Sequence, residues 1–212
     1  METDFAGRHV FVTGGHGALG EAVVKLIRER GATVHAPAKH ELELTDEAAV
    51  TRAYAALPSL WASVHLAGGF AAAPLLETTL AAFRAQHELN GQTCFLCCRE
   101  AARAMKGRGG RIVNVASRPA VVPVAGMVAY ATSKAVVAAL TIHLAAELTG
   151  DGILVNAVLP SIIDTEANRR AMPKADHSAW PKTEEIARVI AWLASPLQTL
   201  TSGTLVPVYG RS

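Results

Sequence analysis

Apolar residues follow two alternating rhythms along this chain. Compact apolar runs at 8–13, 32–36, 62–67, 111–116, 153–158 and 204–208 read as strands. Between them, 18–30, 45–56, 77–106, 128–149 and 183–194 carry the spacing of amphipathic helices. That alternation is the pattern of a parallel sheet with helices on both faces, an α/β fold. No repeat, low-complexity tract or linker divides residues 1–212, so a single domain is expected. The rhythm fails at one place. Ala38 to Leu44 leaves no room for a crossover helix, since a parallel connection needs about a dozen residues.

The first strand run, Val10-Phe11-Val12-Thr13, ends in Gly14-Gly15-His16-Gly17-Ala18-Leu19-Gly20 and passes straight into a helical pattern. Strand, glycine turn and helix form the setting in which a dinucleotide pyrophosphate meets the unpaired N–H groups of a helix N-terminus. Glycines there let the backbone turn tightly and let phosphates come close. A second constellation lies downstream. Tyr130 and Lys134 stand at i and i+4 in a helical stretch and share a face, with Ser117 upstream. A free phenol titrates near ~10 and is a poor acid or base at neutral pH. A cation beside it favours the phenolate and brings it toward a working range.

Together these residues resemble the short-chain dehydrogenase/reductase family over nearly the whole chain. Thr13-Gly14, Ala18 and Gly20 are similar to its cofactor turn, with alanine at the inner position where glycine is usual. Ala67-Gly68-Gly69 is similar to its Asn-Ala-Gly segment after the fourth strand. Asn90, Ser117, Tyr130 and Lys134 resemble its catalytic tetrad, and Asn156 to Thr165 its nicotinamide-side loop, with Ser161 where glycine is common. The resemblance implies a Rossmann-type doubly wound sheet whose third strand, and the helix before it, are shortened or lost at 38–44.

It also implies hydride transfer between nicotinamide C4 and a small carbonyl or alcohol, with Tyr130 as general acid and base. Lys134 would lower the tyrosine pKa and hold the ribose, Ser117 would donate to the substrate oxygen, and Asn90 would hold a water linking Lys134 to solvent. The cofactor contacts implied on the turn are Gly14, His16, Ala18, Leu19 and Gly20. Glu43 and Leu44 would lie along the adenine, and Ala67, Gly68 and Gly69 would follow. On the nicotinamide side they are Tyr130, Lys134, Pro160, Ile162, Ile163 and Thr165.

An acid at the end of the second strand would hold the ribose hydroxyls and reject a 2′-phosphate. Ala36-Pro37-Ala38-Lys39-His40 has none, and Lys39 with His16 or His40 suits that phosphate. NAD(P) is therefore expected, with NADP slightly favoured. Residues 118–127 should flank the reacting carbon and 161–182 should form a short lid, which makes Ser117, Arg118, Met127 and Trp180 the substrate-side candidates. Trp180 either stacks on a planar ring or packs into the lid's own core. The glycine turn, with Asn168-Arg169 and Met172-Pro173 through Trp180, further resembles dihydropteridine reductases. Those usually lack the tetrad serine present here as Ser117. A carbonyl or alcohol substrate is thus preferred, with a quinonoid dihydropterin as the alternative. A reading from another class is a non-catalytic dinucleotide-binding sensor or scaffold, against which the intact tetrad weighs.

Composition narrows the field. Lys and Arg number 20 against 18 Asp and Glu, a formal charge of +2, too small to imply a nucleic-acid partner. Apolar runs fall short of the ~20 residues of a membrane span. The N-terminal residues lack the basic-then-apolar order of a signal peptide, so a cytoplasmic location is expected. Cys94, Cys97 and Cys98 share one apolar stretch, which argues against a disulfide framework. A metal site there would need a fourth ligand, with His87 as the nearby candidate. Packed thiols are preferred and no metal is expected. Stretches 91–106 and 131–148 are apolar on more than one face. In the family such helices pair between subunits, which implies a homodimer or homotetramer.

Overall fold

A computed structural model gives the fold over residues 3–211. The strands are β1 (His9–Thr13), β2 (Thr33–His35), β3 (Ala62–His65), β4 (Gly110–Val115), β5 (Ile153–Pro160) and β6 (Leu205–Val208). They form one sheet in the order β2-β1-β3-β4-β5-β6, every neighbouring pair parallel. Each expected apolar run supplies one strand. The helices are α1 (Ala18–Glu29), α2 (Glu47–Ala55), α3 (Leu80–Gln86), α4 (Thr93–Met105), α5 (Val128–Leu148), α6 (Glu166–Ala171) and α7 (Thr183–Ala194). Strand periodicity splits the interior into two layers. Phe11 and Ile112 face α2, α4 and α5, whereas Val10, Val12 and Val113 face α1 and α7.

The short interval after β2 behaves as its length requires. From Ala36 to Asp46 the chain forms only turns, and Asp46 then caps α2 by accepting from Ala48 N and Ala49 N at 2.9 and 3.1 Å. α2 leads to β3 on the far side of β1, so among the described residues no strand lies outside β2. β1 is the point where the strand order reverses. Beyond the carboxyl ends of β1 and β3 the chain must leave a crevice, the usual ligand position in such sheets.

At the edge, His9 Nδ1 and His35 Nε2 lie 2.9 Å apart, one donating and the other accepting. Burial first, and the His9 ring second, hold His35 below the usual imidazole range. A histidine whose folded pKa is depressed adds stability above its unfolded value of about 6.5, and this is lost as pH falls through the folded value. Urea unfolding at a series of pH values should therefore show stability declining below about pH 6.5. A His9→Gln variant, which cannot carry the second charge, should show a shallower decline.

Two expectations need correction. A single helix over 77–106 is replaced by a 3-10 turn at Leu75–Glu77, then α3, a π-helical turn at His87–Gln92, and α4. The wider turn rotates Asn90 inward, leaving it 1% exposed. The second concerns apolar length. Val128–Asp151, which includes α5, is long and apolar enough to cross a membrane by length and composition. It nevertheless lies in the first core layer, with Ser133, Lys134, Val137 and Thr141 buried.

Candidate active site

A cleft of about 340 Å³ opens at the ends of β1 and β3. Its walls include Gly14, His16, Lys39, Glu43, Leu44, Ala67 and Gly68, all expected from the sequence. Thr13, Gly17, Pro37, Leu42, Leu89 and Thr93 complete it. Thr13 and Gly17 belong to the turn read from the sequence, whereas Pro37, Leu42, Leu89 and Thr93 are not expected there, although Leu89 and Thr93 stand one helical turn apart around Asn90. The turn fits a dinucleotide for a local reason. Gly14 has φ 68°, a left-handed conformation, and a Cβ there would stand 2.7 Å from Ala67 N. No side chain caps α1, so the N–H groups of its first turn remain available to an anion.

Ala18, Leu19 and Gly20 carry the N–H groups of that first turn. They form the first turn of α1 and are not among the cleft walls. A Cβ at residue 20 would stand 2.1 Å from Gly14 O and 2.7 Å from Gly15 Cα. The glycine lets the helix pack onto its own leading turn. Thr13 Oγ1 accepts from Ala67 N at 3.3 Å and ties that turn to the end of β3.

The four tetrad positions converge on the next segment. Asn90 Oδ1 accepts from Gly69 N at 3.1 Å, while its Nδ2 donates to Gly69 O at 3.0 Å and Ser133 Oγ at 3.1 Å. A Cβ on Gly68 would meet Asn90 Oδ1 at 2.5 Å and Lys134 Nζ at 3.3 Å, so both side chains close on that backbone. Lys134 is 7% exposed, and its ammonium donates to Val115 O at 2.9 Å. Burial brings it down to about 8, partly offset by Cys94. Burial likewise raises the Tyr130 phenol, and a hydrogen bond with Ser117 pulls it back. The ring of Phe70 meets Tyr130 edge-on at 4.9 Å between centroids.

Beneath this site runs a buried polar chain. Tyr54 OH and Ser63 Oγ lie 2.8 Å apart, Ser63 Oγ and His65 Nε2 2.8 Å, and His65 Nδ1 and Asn114 Oδ1 2.8 Å. Asn114 Nδ2 then donates to Thr141 Oγ1 at 3.0 Å. The three cysteines are free and buried. The histidine beside them is His65, not His87: its ring nitrogen, Cys94 Sγ and Cys98 Sγ lie within 4.8 Å of one another. His87 instead bonds Thr132 Oγ1 at 3.0 Å and lies against Phe83. Burial pushes the Cys97 thiol up to about 12.

The segment 161–182, expected as a flap, is held largely by contacts within itself. Asp164 and Lys182 form a parallel bridge at its base, and Asp164 holds Arg169 through two bonds of 2.5 and 2.7 Å. Thr165 caps α6, accepting from Asn168 N at 3.2 Å, so its hydroxyl is engaged in the flap itself. Ile162 is exposed near the flap's start, Ile163 packs into the second core layer, and Pro160 is buried at the end of β5. Trp180 is 6% exposed and packs against His177 at 4.6 Å between ring centroids. It belongs to the flap's own packing and does not offer an open face to a ligand. Met127 precedes α5 at partial exposure. Arg118 follows Ser117, with its guanidinium carbon 5.2 Å from the centre of the Tyr209 ring.

Comparison with known proteins gives consistent matches. The family described as enoyl-(acyl carrier protein) reductase matches residues 3–210. A cis-4-hydroxycyclohexanecarboxylate dehydrogenase of Sinomonas cyclohexanicum is 34% identical, over 99% of this chain and 98% of its own length. That alignment spans 244 positions against the 212 residues of this chain, so it opens gaps within this chain. Carbonyl reductase [NADPH] 2 of Sus scrofa is 27% identical, over 97% of this chain and 96% of its own. Among solved structures, a short-chain dehydrogenase/reductase from Serratia marcescens superposes with TM-score 0.89 at 29% identity, covering 98% of both chains.

Proposed function

The chain belongs to the short-chain dehydrogenase/reductase family, and from that premise we propose an NAD(P)-dependent interconversion of a small carbonyl compound and its alcohol. The observation that carries the proposal is the convergence of Asn90 and Lys134 on Gly68, beside the glycine turn, with Ser117 near enough to Tyr130 to draw its phenol down. Nicotinamide, when bound, supplies or takes up the hydride at C4. The chain's own residues then handle the proton and the charge. Tyr130 holds its proton firmly because burial raises the phenol, and it delivers that proton to the carbonyl oxygen in reduction. Ser117 donates to the same oxygen and stabilises charge developing there. Lys134 supplies the positive charge that offsets the phenolate, and Asn90 locks Gly69 and α5 together so that the lysine stays in place.

NADP(H) is the favoured form. Lys39 and His16 both line the cleft and suit a 2′-phosphate, and residues 36–40 carry no acid, although Glu41 accepts from Ala38 N at 2.7 Å and Glu43 shares the cleft with Lys39. The pig relative's name, which specifies NADPH, supports this assignment. Calorimetric titration should show NADPH binding more tightly than NADH, followed by turnover of a ketone panel. Replacing Lys39 by Ala should weaken NADPH about tenfold with little change for NADH. Equal losses for both would place Lys39 away from the phosphate, and tighter NADH binding by the unaltered protein would reverse the preference.

The other readings receive less support. A pterin ring stacked on Trp180 is disfavoured by the burial of that indole against His177. A purely non-catalytic binder has no need of Ser117 and Lys134 placed beside Tyr130. Along α4 and α5, Phe95 and Val136 are exposed on either side of one groove, which supports assembly as a homodimer or homotetramer. The small net charge fits a cytoplasmic enzyme acting on a small molecule.

A further inference from the structure

We infer that Arg118 makes this pocket select carbonyl substrates bearing a carboxylate several bonds from the reacting carbon, an inference that rests on the oxidoreductase reading above. Ser117 has extended backbone, φ −165° and ψ 155°, and Arg118 opens the short turn Arg118–Ala120. Successive residues of extended chain point to opposite sides. With Ser117 turned to Tyr130, Arg118 runs the other way, to the ring of Tyr209. Tyr209 is the first residue after β6, two strands from β4, a span of about 10 Å. The side chain therefore passes over the end of β5, where Pro160 and Ser161 leave the sheet. Ser161 Oγ donates to Tyr209 O at 2.8 Å, and Arg211 N donates to Ala179 O at 2.9 Å, so the flap's base closes onto the same place. The guanidinium thus sits at Tyr209, the residue to which the base of the flap is tied through Ser161.

Its charge is not neutralised there. Among the described residues Arg118 forms no ion pair, and residues 119–129 contain no charged side chain. The acids of the flap are engaged elsewhere. Asp164 holds Arg169, Glu166 holds Arg170 at 2.6 Å, and Asp176 accepts from Ser178 N and Oγ. The ring of Tyr209 holds the guanidinium at one place by a cation–π contact, and its fork of N–H groups suits a carboxylate bound by two parallel bonds.

The test compares keto acids having two, three or four carbons between ketone and carboxylate, each against its methyl ester, with neutral ketones as controls. For at least one pair, kcat/KM for the free acid should exceed that for the ester by roughly 10- to 100-fold. In Arg118→Met the ratio of acid to ester should fall to near unity, and Arg118→Lys should keep part of it. Esters turned over as well as acids, or neutral ketones turned over while acids are refused, would overturn the inference and leave the oxidoreductase reading standing. An acid preference that survives in Arg118→Met would remove the assignment to this residue. No turnover of any ketone with either nucleotide would instead overturn the oxidoreductase reading, and the inference with it.

Discussion

Replacing Tyr130 by Phe should lower kcat by about 10²- to 10⁴-fold, the range spanned by loss of a positioned general acid or base. The substitution removes one oxygen and keeps the ring. The edge-on contact with Phe70 at 4.9 Å survives, as does the packing of α5 around buried Ala129 and Ser133. Nucleotide affinity should change little, because no part of the glycine turn touches the phenol's oxygen. Two measurements are needed together: steady-state reduction of a ketone, and fluorescence titration with NADPH. A variant with kcat within threefold of the parent would remove Tyr130 from the proton's path. Lost nucleotide binding would mean the substitution had disturbed the fold and not only the chemistry.

Gly20→Ala should be nearly as damaging by a wholly different route. The added carbon would lie 2.1 Å from Gly14 O and 2.7 Å from Gly15 C and Cα, all backbone atoms of the turn proposed to hold the pyrophosphate. A flexible side chain can step aside, but here the helix must move off the turn. Overpacking of this kind costs about 1–3 kcal/mol, occasionally more. NADPH affinity should fall at least tenfold as well, since the displaced element is the anion-binding one. Urea denaturation with and without NADPH reads both effects. Gly150→Ala is the control: a Cβ there meets nothing within 4 Å, and stability should stay within about 0.5 kcal/mol. If Gly20→Ala matched that control, the close approach of α1 to its turn would not matter energetically.

Much of this architecture can be read from spacing because two periods dominate the chain. Buried strands such as Ala62–His65 and Ile153–Pro160 are short apolar runs, and amphipathic helices such as Ala18–Glu29 and Thr183–Ala194 follow a 3.6-residue rhythm. The cleft walls from Gly14 to Gly17 and from Ala67 to Gly68 follow as well, since glycine clusters after strands announce themselves. Spacing is blind elsewhere. A π-helical turn at His87–Gln92 differs from α-helix by one residue per turn, which an apolar pattern cannot register, yet it is what turns Asn90 inward. The meeting of His65 with Cys94 and Cys98 depends on how α4 crosses β3, not on any local run. Trp180 is similar: composition offers a ring for stacking, whereas the packing of His177 decides that it is consumed inside the flap. The lysine was legible as a residue of the site but not in its hydrogen bond, because Val115 O is a backbone atom and carries no signature in the sequence.

The sheet ends in a strand of three residues, and the turns that follow at once become the wall of the cleft proposed for the nucleotide through Pro37, Lys39, Leu42, Glu43 and Leu44. One segment therefore serves as border of the fold and as part of its ligand site. Edges with few buried contacts are where proteins open locally at the least cost in free energy. Opening this one would dismantle the adenine side of the cleft at the same moment, so fraying and loss of affinity become a single event. Mass action then runs in the opposite direction: bound nucleotide holds the border shut, and the closed population rises with nucleotide concentration. The shortened chain has made its ligand part of its own perimeter.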